Sequence, residues 1–157
     1  MPAICADLRE LLIRTKLVVF PEDFVAVYLP PNIKAISGEW FRTATTRFAA
    51  VIQEPKSITM IISRRKWLRM QNLFEEYDVN GPLKVISFDV KLSFAARGYM
   101  AAIGSVLTES KINAVPISSF KRDHILVAKA DLPRTVRVLR EFLESCRKKP
   151  AGKSKKP

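Results

Sequence analysis

The sequence predicts an α+β fold with helices on one face of an antiparallel sheet, and three observations point to it. From Leu83 to Leu92, residues Ile86, Phe88, Val90 and Leu92 alternate with Ser87, Asp89 and Lys91, the period of a strand with one buried face. From about Arg97 to Ser110, Met100, Ile103 and Leu107 share one helical stripe, and Ala101, Ala102 and Gly104 permit close approach to a sheet. The second half as a whole reads strand, helix, strand, strand, helix, a ferredoxin-like order that lacks its final strand.

The other elements follow along the chain. Leu11 to Phe20, rich in branched aliphatics, and Phe24 to Leu29 read as strands around the turn Pro21-Glu22-Asp23, and Pro30-Pro31 ends the second. Ile33 to Phe41 reads as a short helix or a loop. Arg47 to Gln53 and Ser57 to Ser63 flank Glu54-Pro55-Lys56, where proline presets a turn, so the pair reads as a hairpin. Arg64 to Tyr77 carries Trp67, Met70 and Phe74 at helical spacing. Asp78-Val79-Asn80-Gly81-Pro82 has the strongest turn chemistry and marks the expected boundary between halves. Ile112 to Ser119 and His124 to Lys129 read as strands joined by Phe120 to Asp123. Asp131 is placed to cap a last helix with the stripe Leu132, Val136, Leu139 and Leu143. The expected organisation is therefore a first half over 1–80, a second over 81–146 and a disordered basic tail over 147–157. The apolar run Leu11 to Phe20 is the natural donor of the strand that the second sheet lacks.

Composition narrows the function. The chain has 157 residues, 48% hydrophobic and 27% charged, which suits one compact domain or two small ones. No apolar run approaches the roughly 18 residues that a membrane helix needs, so no membrane partner is expected. Residues 1 to 20 lack the pattern of a secretory signal, which places the expected location in the cytoplasm or the nucleus. Six of the 27 basic residues and no acidic ones fall in 147–157, so half of the net charge of +12 sits on that tail. Nucleic acid could be held there, since clustered cations release counterions from phosphates. Cys5 and Cys146 form no paired motif, and His124 is the single histidine, so the usual metal clusters and a histidine-based nucleophilic centre would all depend on that one side chain, which disfavours catalysis. Gly152-Lys153-Ser154 ends like a phosphate loop, but Arg147 stands where the first glycine would be. No cofactor and no enzymatic activity are expected.

Local chemistry offers two candidate features. Phe94 to Tyr99, with Phe94, Ala95, Arg97 and Gly98, forms the loop and first turn leading into the helix of Met100, Ile103 and Leu107, where free N–H groups and the positive dipole end can receive a carboxylate, and Gly98 lets the backbone come close. Arg97 in such a pocket would favour an acidic ligand. Asp123, between two strands, is chemically a good turn residue and also a carboxylate able to hold a cation. Arg134, Arg137 and Arg140 read as a solvated face, paired with Glu141 and Glu144 at i,i+4 spacing.

The stretch Ile112-Asn113-Ala114-Val115-Pro116-Ile117-Ser118-Ser119-Phe120-Lys121-Arg122-Asp123-His124-Ile125-Leu126-Val127, followed by Ala130-Asp131-Leu132, resembles the ACT domain. It is most similar to tandem ACT proteins related to the CASTOR arginine sensors. Phe24 to Pro31 is similar to the opening strand of small bacterial two-ACT proteins, with the hairpin Phe48 to Ser63 in the place of their next strand pair. The resemblance implies two ferredoxin-like βαββαβ subdomains with antiparallel sheets. It also implies a non-enzymatic regulatory sensor that binds an amino acid at a subdomain or subunit interface and acts as a homodimer or on a protein partner. By the same resemblance Asp123 would meet the ligand's charged group, and Asn113 and Ala114 would contact its backbone. Where that family often has a Gly-Pro-Leu-Asp-Phe type of loop, this chain has Lys91 to Gly98. The alternative expectation is an RNA- or DNA-binding module on a ferredoxin-like sheet, using the tail and the surface arginines, although the aromatic RNA-recognition motif is missing.

Overall fold

The computed structural model describes residues 6–31, 47–92 and 96–148. Its elements are α1 (Ala6–Arg14), β1 (Lys16–Val19), β2 (Phe24–Leu29), β3 (Ala50–Glu54), β4 (Ser57–Ser63), α2 (Arg64–Met70), β5 (Asp78–Asp89), α3 (Tyr99–Glu109), β6 (Ala114–Ser118), β7 (Asp123–Ala128) and α4 (Leu132–Arg147). The α+β class and the antiparallel pairing agree with the sequence. Contacts divide the chain into a unit of residues 19–85 and a unit made of 1–18 with 86–157.

In the unit of residues 19–85, β2 lies between β4 and the first part of β5, with β3 beyond β4. Alternation buries Val25, Val27 and Leu29 of β2 with Met60 and Ile62 of β4, against Trp67 and Met70 of α2. Ser63 starts α2 as an N-cap, its Oγ accepting the Lys66 N–H at 3.3 Å. The helix expected to reach Tyr77 ends at Met70 and continues as a single 3₁₀ turn, Gln71–Leu73. Phe74 then turns extended, and its ring stacks on Trp67 with centroids 5.7 Å apart, so the apolar spacing reflects packing across a bend. Ile33 to Phe41 falls outside the described residues.

The expected turn at Asp78 to Pro82 is instead the start of β5. Val79 and Asn80 pair with Val27 and Ala26, and the register then slips, leaving an extra β5 residue before Leu83 meets Phe24. Gly81 absorbs the slip at φ +152°, where a Cβ would lie 3.0 Å from the Phe24 carbonyl oxygen, so turn-forming residues here build a bulge.

In the other unit, β7 stands between the last part of β5 and the edge strand β6, and β1 also pairs with β5. The strand expected from Leu11 begins only at Lys16. Leu11 to Arg14 belong to α1, whose Leu8 and Leu12 are buried at i,i+4 spacing, and this helical stripe outweighs the aliphatic run. On α3 the buried residues are Tyr99, Ile103, Val106 and Leu107, while Met100 is half-buried. Along α4 the buried face is Thr135, Leu139, Phe142, Leu143 and Cys146, rotated from the stripe expected through Leu132 and Val136. Asp131 precedes α4 with helical backbone angles and makes no side-chain cap, contrary to expectation. Arg147, counted with the tail by charge, is the last residue of α4. Arg134, Arg137 and Arg140 are exposed as expected, yet neither pair with Glu141 or Glu144 forms among the described residues, and Arg134 instead donates to the Ser110 carbonyl. No described helix is long and apolar enough to cross a membrane, and the described residues hold no cluster of metal-binding side chains.

Candidate functional site

Where β5 gives way to α3, Gly98 takes φ +79° at the N-cap position, a left-handed conformation that favours glycine. Its carbonyl accepts the Ala102 N–H at 2.9 Å and opens the helix, but glycine has no side chain with which to cap. Among the described residues the first-turn N–H groups of α3 therefore receive no side-chain cap, and they stand at the positive end of the helix dipole. Tyr99 fixes this turn from beneath. Its hydroxyl lies 2.7 Å from Thr15 Oγ1, and because Thr15 donates its own proton to the Leu11 carbonyl at 2.8 Å, Tyr99 is the donor. Burial pushes the Tyr99 phenol well above its ordinary range, and the Asp123 carboxylate reinforces the shift.

The second wall is the β6–β7 hairpin. Ser119 N–H and Ser119 Oγ both donate to the Arg122 carbonyl, at 2.8 and 2.9 Å, so Phe120 and Lys121 form the tip. Asp123 is consequently a strand residue opposite Ser118, a place where aspartate is ordinarily depleted. Among the described residues its carboxylate has no hydrogen-bond or ion-pair partner. The hairpin is latched to the chain leaving β5 by the Arg122–Asp89 ion pair at 2.9 Å and by the Leu92 N–H bonded to the Lys121 carbonyl at 3.1 Å.

Between these walls lies a pocket of about 280 Å³. Leu92 and Ala96 line it from the connection, Gly98 to Ala101 from the first turn of α3, and Ser118 to Phe120 with Asp123 from the hairpin. It joins an uncapped helix terminus, a carboxylate, serine hydroxyls and apolar walls, a lining able to hold a zwitterion. Of the residues singled out from sequence, Asp123 and Gly98 meet here. Arg97 is exposed beside Gly98 and does not line the pocket. Asn113 and Ala114 lie at the other end of the hairpin, with Ala114 opposite Val127, about 13 Å of strand from Ser118. Phe94 and Ala95 fall outside the described residues. Ser118, Met100 and Phe120 carry no signal of this site in the sequence, because only the hairpin register and the helix phase bring them to one place.

His124, next to Asp123 on β7, is buried. Burial pushes its imidazole below the ordinary value, Asp123 pulls it back up and Arg122 pushes it down.

Residues 79–141, from β5 into α4, match the ACT domain family, so an ACT domain is found in this part of the chain. No curated protein matches the sequence. Solved structures do resemble it. A Vibrio cholerae protein of unknown function, described as a possible transport protein, is 21% identical and superposes with a TM-score of 0.67 over 87% of this chain and 96% of its own. An Agrobacterium tumefaciens protein is 20% identical, with a TM-score of 0.63 over 82% of this chain and 88% of its own. The regulatory subunit of aspartate kinase from Thermus thermophilus is 10% identical, with a TM-score of 0.58 over 81% and 97%. At these identities the likeness is one of fold.

Proposed function

We propose that this protein is a non-enzymatic regulatory sensor that binds an amino acid in the Asp123 pocket. The observation that carries the reading is the pairing of opposite features within the ACT-matching segment: the N-terminus of α3, which its N-cap residue leaves uncapped, suits an α-carboxylate, and Asp123, without a hydrogen-bond or ion-pair partner among the described residues, suits an α-ammonium. Residues 19–85 supply a strand, a hairpin and a helix in the order of a second ACT-like copy, which supports a tandem arrangement similar to that of the CASTOR-type sensors. Two copies of the chain, or this chain with a regulated protein, would then read out occupancy, since a ligand shifts an assembly equilibrium through its differential affinity for the two states.

Thermal-shift measurements on the full chain with each of the twenty amino acids test the proposal. At least one should raise the melting temperature, because a ligand that binds only the folded state stabilises it by mass action. Asp123→Asn should weaken that ligand by about tenfold or more in calorimetric titration while keeping the fold, since a charge-assisted bond is lost. A panel with no stabilising amino acid would sink the reading.

A further inference from the structure

The pocket's charges are unevenly distributed. Apart from Tyr99, whose hydroxyl is committed to Thr15, Asp123 is the one ionisable residue among the described residues that line it. An α-amino acid brings one carboxylate and one ammonium, and if α3 receives the first, Asp123 is fully used by the second. Nothing of opposite charge then remains for the ligand's side chain. A guanidinium or a second ammonium would compete with the α-ammonium for the same carboxylate and leave one cation unmatched. A side-chain carboxylate would face Asp123 with no lining cation to offset it, because Arg97 stays outside.

Apart from Ser118 and Ser119, the latter with its hydroxyl committed to the Arg122 carbonyl, the rest of the described lining is apolar. Leu92 and Ala96 form one side, Met100 and Ala101 extend from the helix, and Phe120 closes the hairpin end. Phe120 keeps 75% of its surface exposed at a hairpin tip, where an aromatic ring has apolar area still to bury. At about 280 Å³ the space is at the low end for a ligand site and suits one small metabolite.

We infer that the pocket selects α-amino acids with uncharged, apolar side chains of leucine or methionine size, and that Phe120 determines how long a side chain is retained. This rests on the amino-acid reading of the Asp123 pocket and adds the ligand's charge class and the specificity-determining residue. Burying a ligand methylene against Phe120 is favourable, and an apolar pocket separates ligands that differ by a methylene by about tenfold or more.

Calorimetric titration of the full chain with leucine, methionine, alanine, arginine, lysine, glutamate and aspartate tests the inference. Leucine or methionine should bind about tenfold or more tightly than any of the four charged amino acids. Phe120→Ala should weaken leucine by about tenfold and alanine by less than about threefold, a change in selectivity that general unfolding would not give. A preference for arginine or lysine that Asp123→Asn removes would overturn the inference and leave the amino-acid reading standing. A leucine-to-alanine ratio unchanged by Phe120→Ala would overturn the role of that ring. If none of the seven binds at millimolar concentration, the inference fails, and twenty blanks in the thermal-shift panel would show that the underlying reading fails with it.

Discussion

Arg9 and Arg147 cap each other's helices. The Arg9 guanidinium donates to the carbonyls of Cys146 and Lys148 at 3.1 and 2.9 Å, at the end of α4. Arg147 donates in return to the carbonyls of Ile13 and Thr15 at 3.1 and 3.0 Å, at the end of α1. Each cation meets the negative end of a helix dipole and satisfies carbonyls that no longer have a helical N–H partner. Thr15 also receives the Tyr99 hydroxyl, so the clamp and the floor of the pocket share one residue.

Arg147→Ala and Arg9→Ala should each destabilise the fold by about 1 kcal/mol, the modest figure that suits charged hydrogen bonds open to water. The double variant should lose less than the sum, because loss of either arginine loosens α1 from α4 and displaces the carbonyls that the other addresses. Urea denaturation of the four proteins gives the cycle. Strict additivity would mean that the two caps act independently.

Lys84 holds the turn before β2. Its Nζ lies 2.9 Å from Asp23 Oδ1 and donates to the carbonyls of Pro21 and Glu22 at 2.7 and 3.1 Å, with 11% of the side chain exposed. All three of its donors are used. Lys84→Met should cost about 2 to 3 kcal/mol, less than a fully buried pair because Asp23 stays partly wet, whereas Asp23→Asn should cost less since the two carbonyls remain. Denaturant midpoints decide, and equal losses in both variants would assign the whole effect to the ion pair.

Lys111 ends α3 at φ +54°, with the Ile112 N–H bonded to the Leu107 carbonyl and the Lys111 N–H to the Thr108 carbonyl, both at 2.9 Å. This double bond pattern is the Schellman motif, whose left-handed position is usually glycine. Lys111→Gly should therefore raise stability by about 0.5 to 1 kcal/mol, the left-handed strain exceeding the extra entropy of glycine in the unfolded chain. A lower denaturation midpoint for the variant would contradict this.

How much of this the sequence disclosed depends on which interaction set each element. Where burial on one face dominates, as along Ile86 and Phe88 in β5 or Trp67 and Met70 in α2, periodicity revealed the element. The misreadings came where tertiary context overrode local chemistry. Asn80-Gly81-Pro82 has the composition of a turn, and only its pairing with β2 makes it a bulge. Leu11-Leu12-Ile13 has the composition of a strand, while the stripe from Leu8 to Leu12 had been available to signal a helix. Asp131 has the identity of a cap but not the extended backbone that capping requires. At the candidate site, Gly98 was legible as a glycine entering a helix, while Asp123 read equally well as a turn residue and stood out through the resemblance. Ser118, Met100 and Phe120 were not legible, because serine, methionine and phenylalanine carry no signal until the hairpin register and the helix phase aim them into one space.

His124 offers a reporter for that space. It is the single histidine, so its ring protons give one isolated signal by NMR. Its folded pKa is depressed, with burial as the main cause, while its unfolded value is about 6.5. The unfolded chain therefore takes up a proton that the folded chain resists, so this contribution to stability is present above about pH 6.5 and is lost as pH falls through the folded value. Replacing His124 with leucine should flatten that part of the acid-side profile. Asp123 is the neighbour that pulls the imidazole up, so Asp123→Asn should lower the His124 pKa further, and Arg122→Ala should raise it. A ligand whose ammonium neutralises Asp123 must act as that Asn variant does, moving the His124 titration to lower pH in the wild type and leaving it unmoved in Asp123→Asn. An amino acid that stabilises the protein without shifting His124 binds somewhere other than at Asp123.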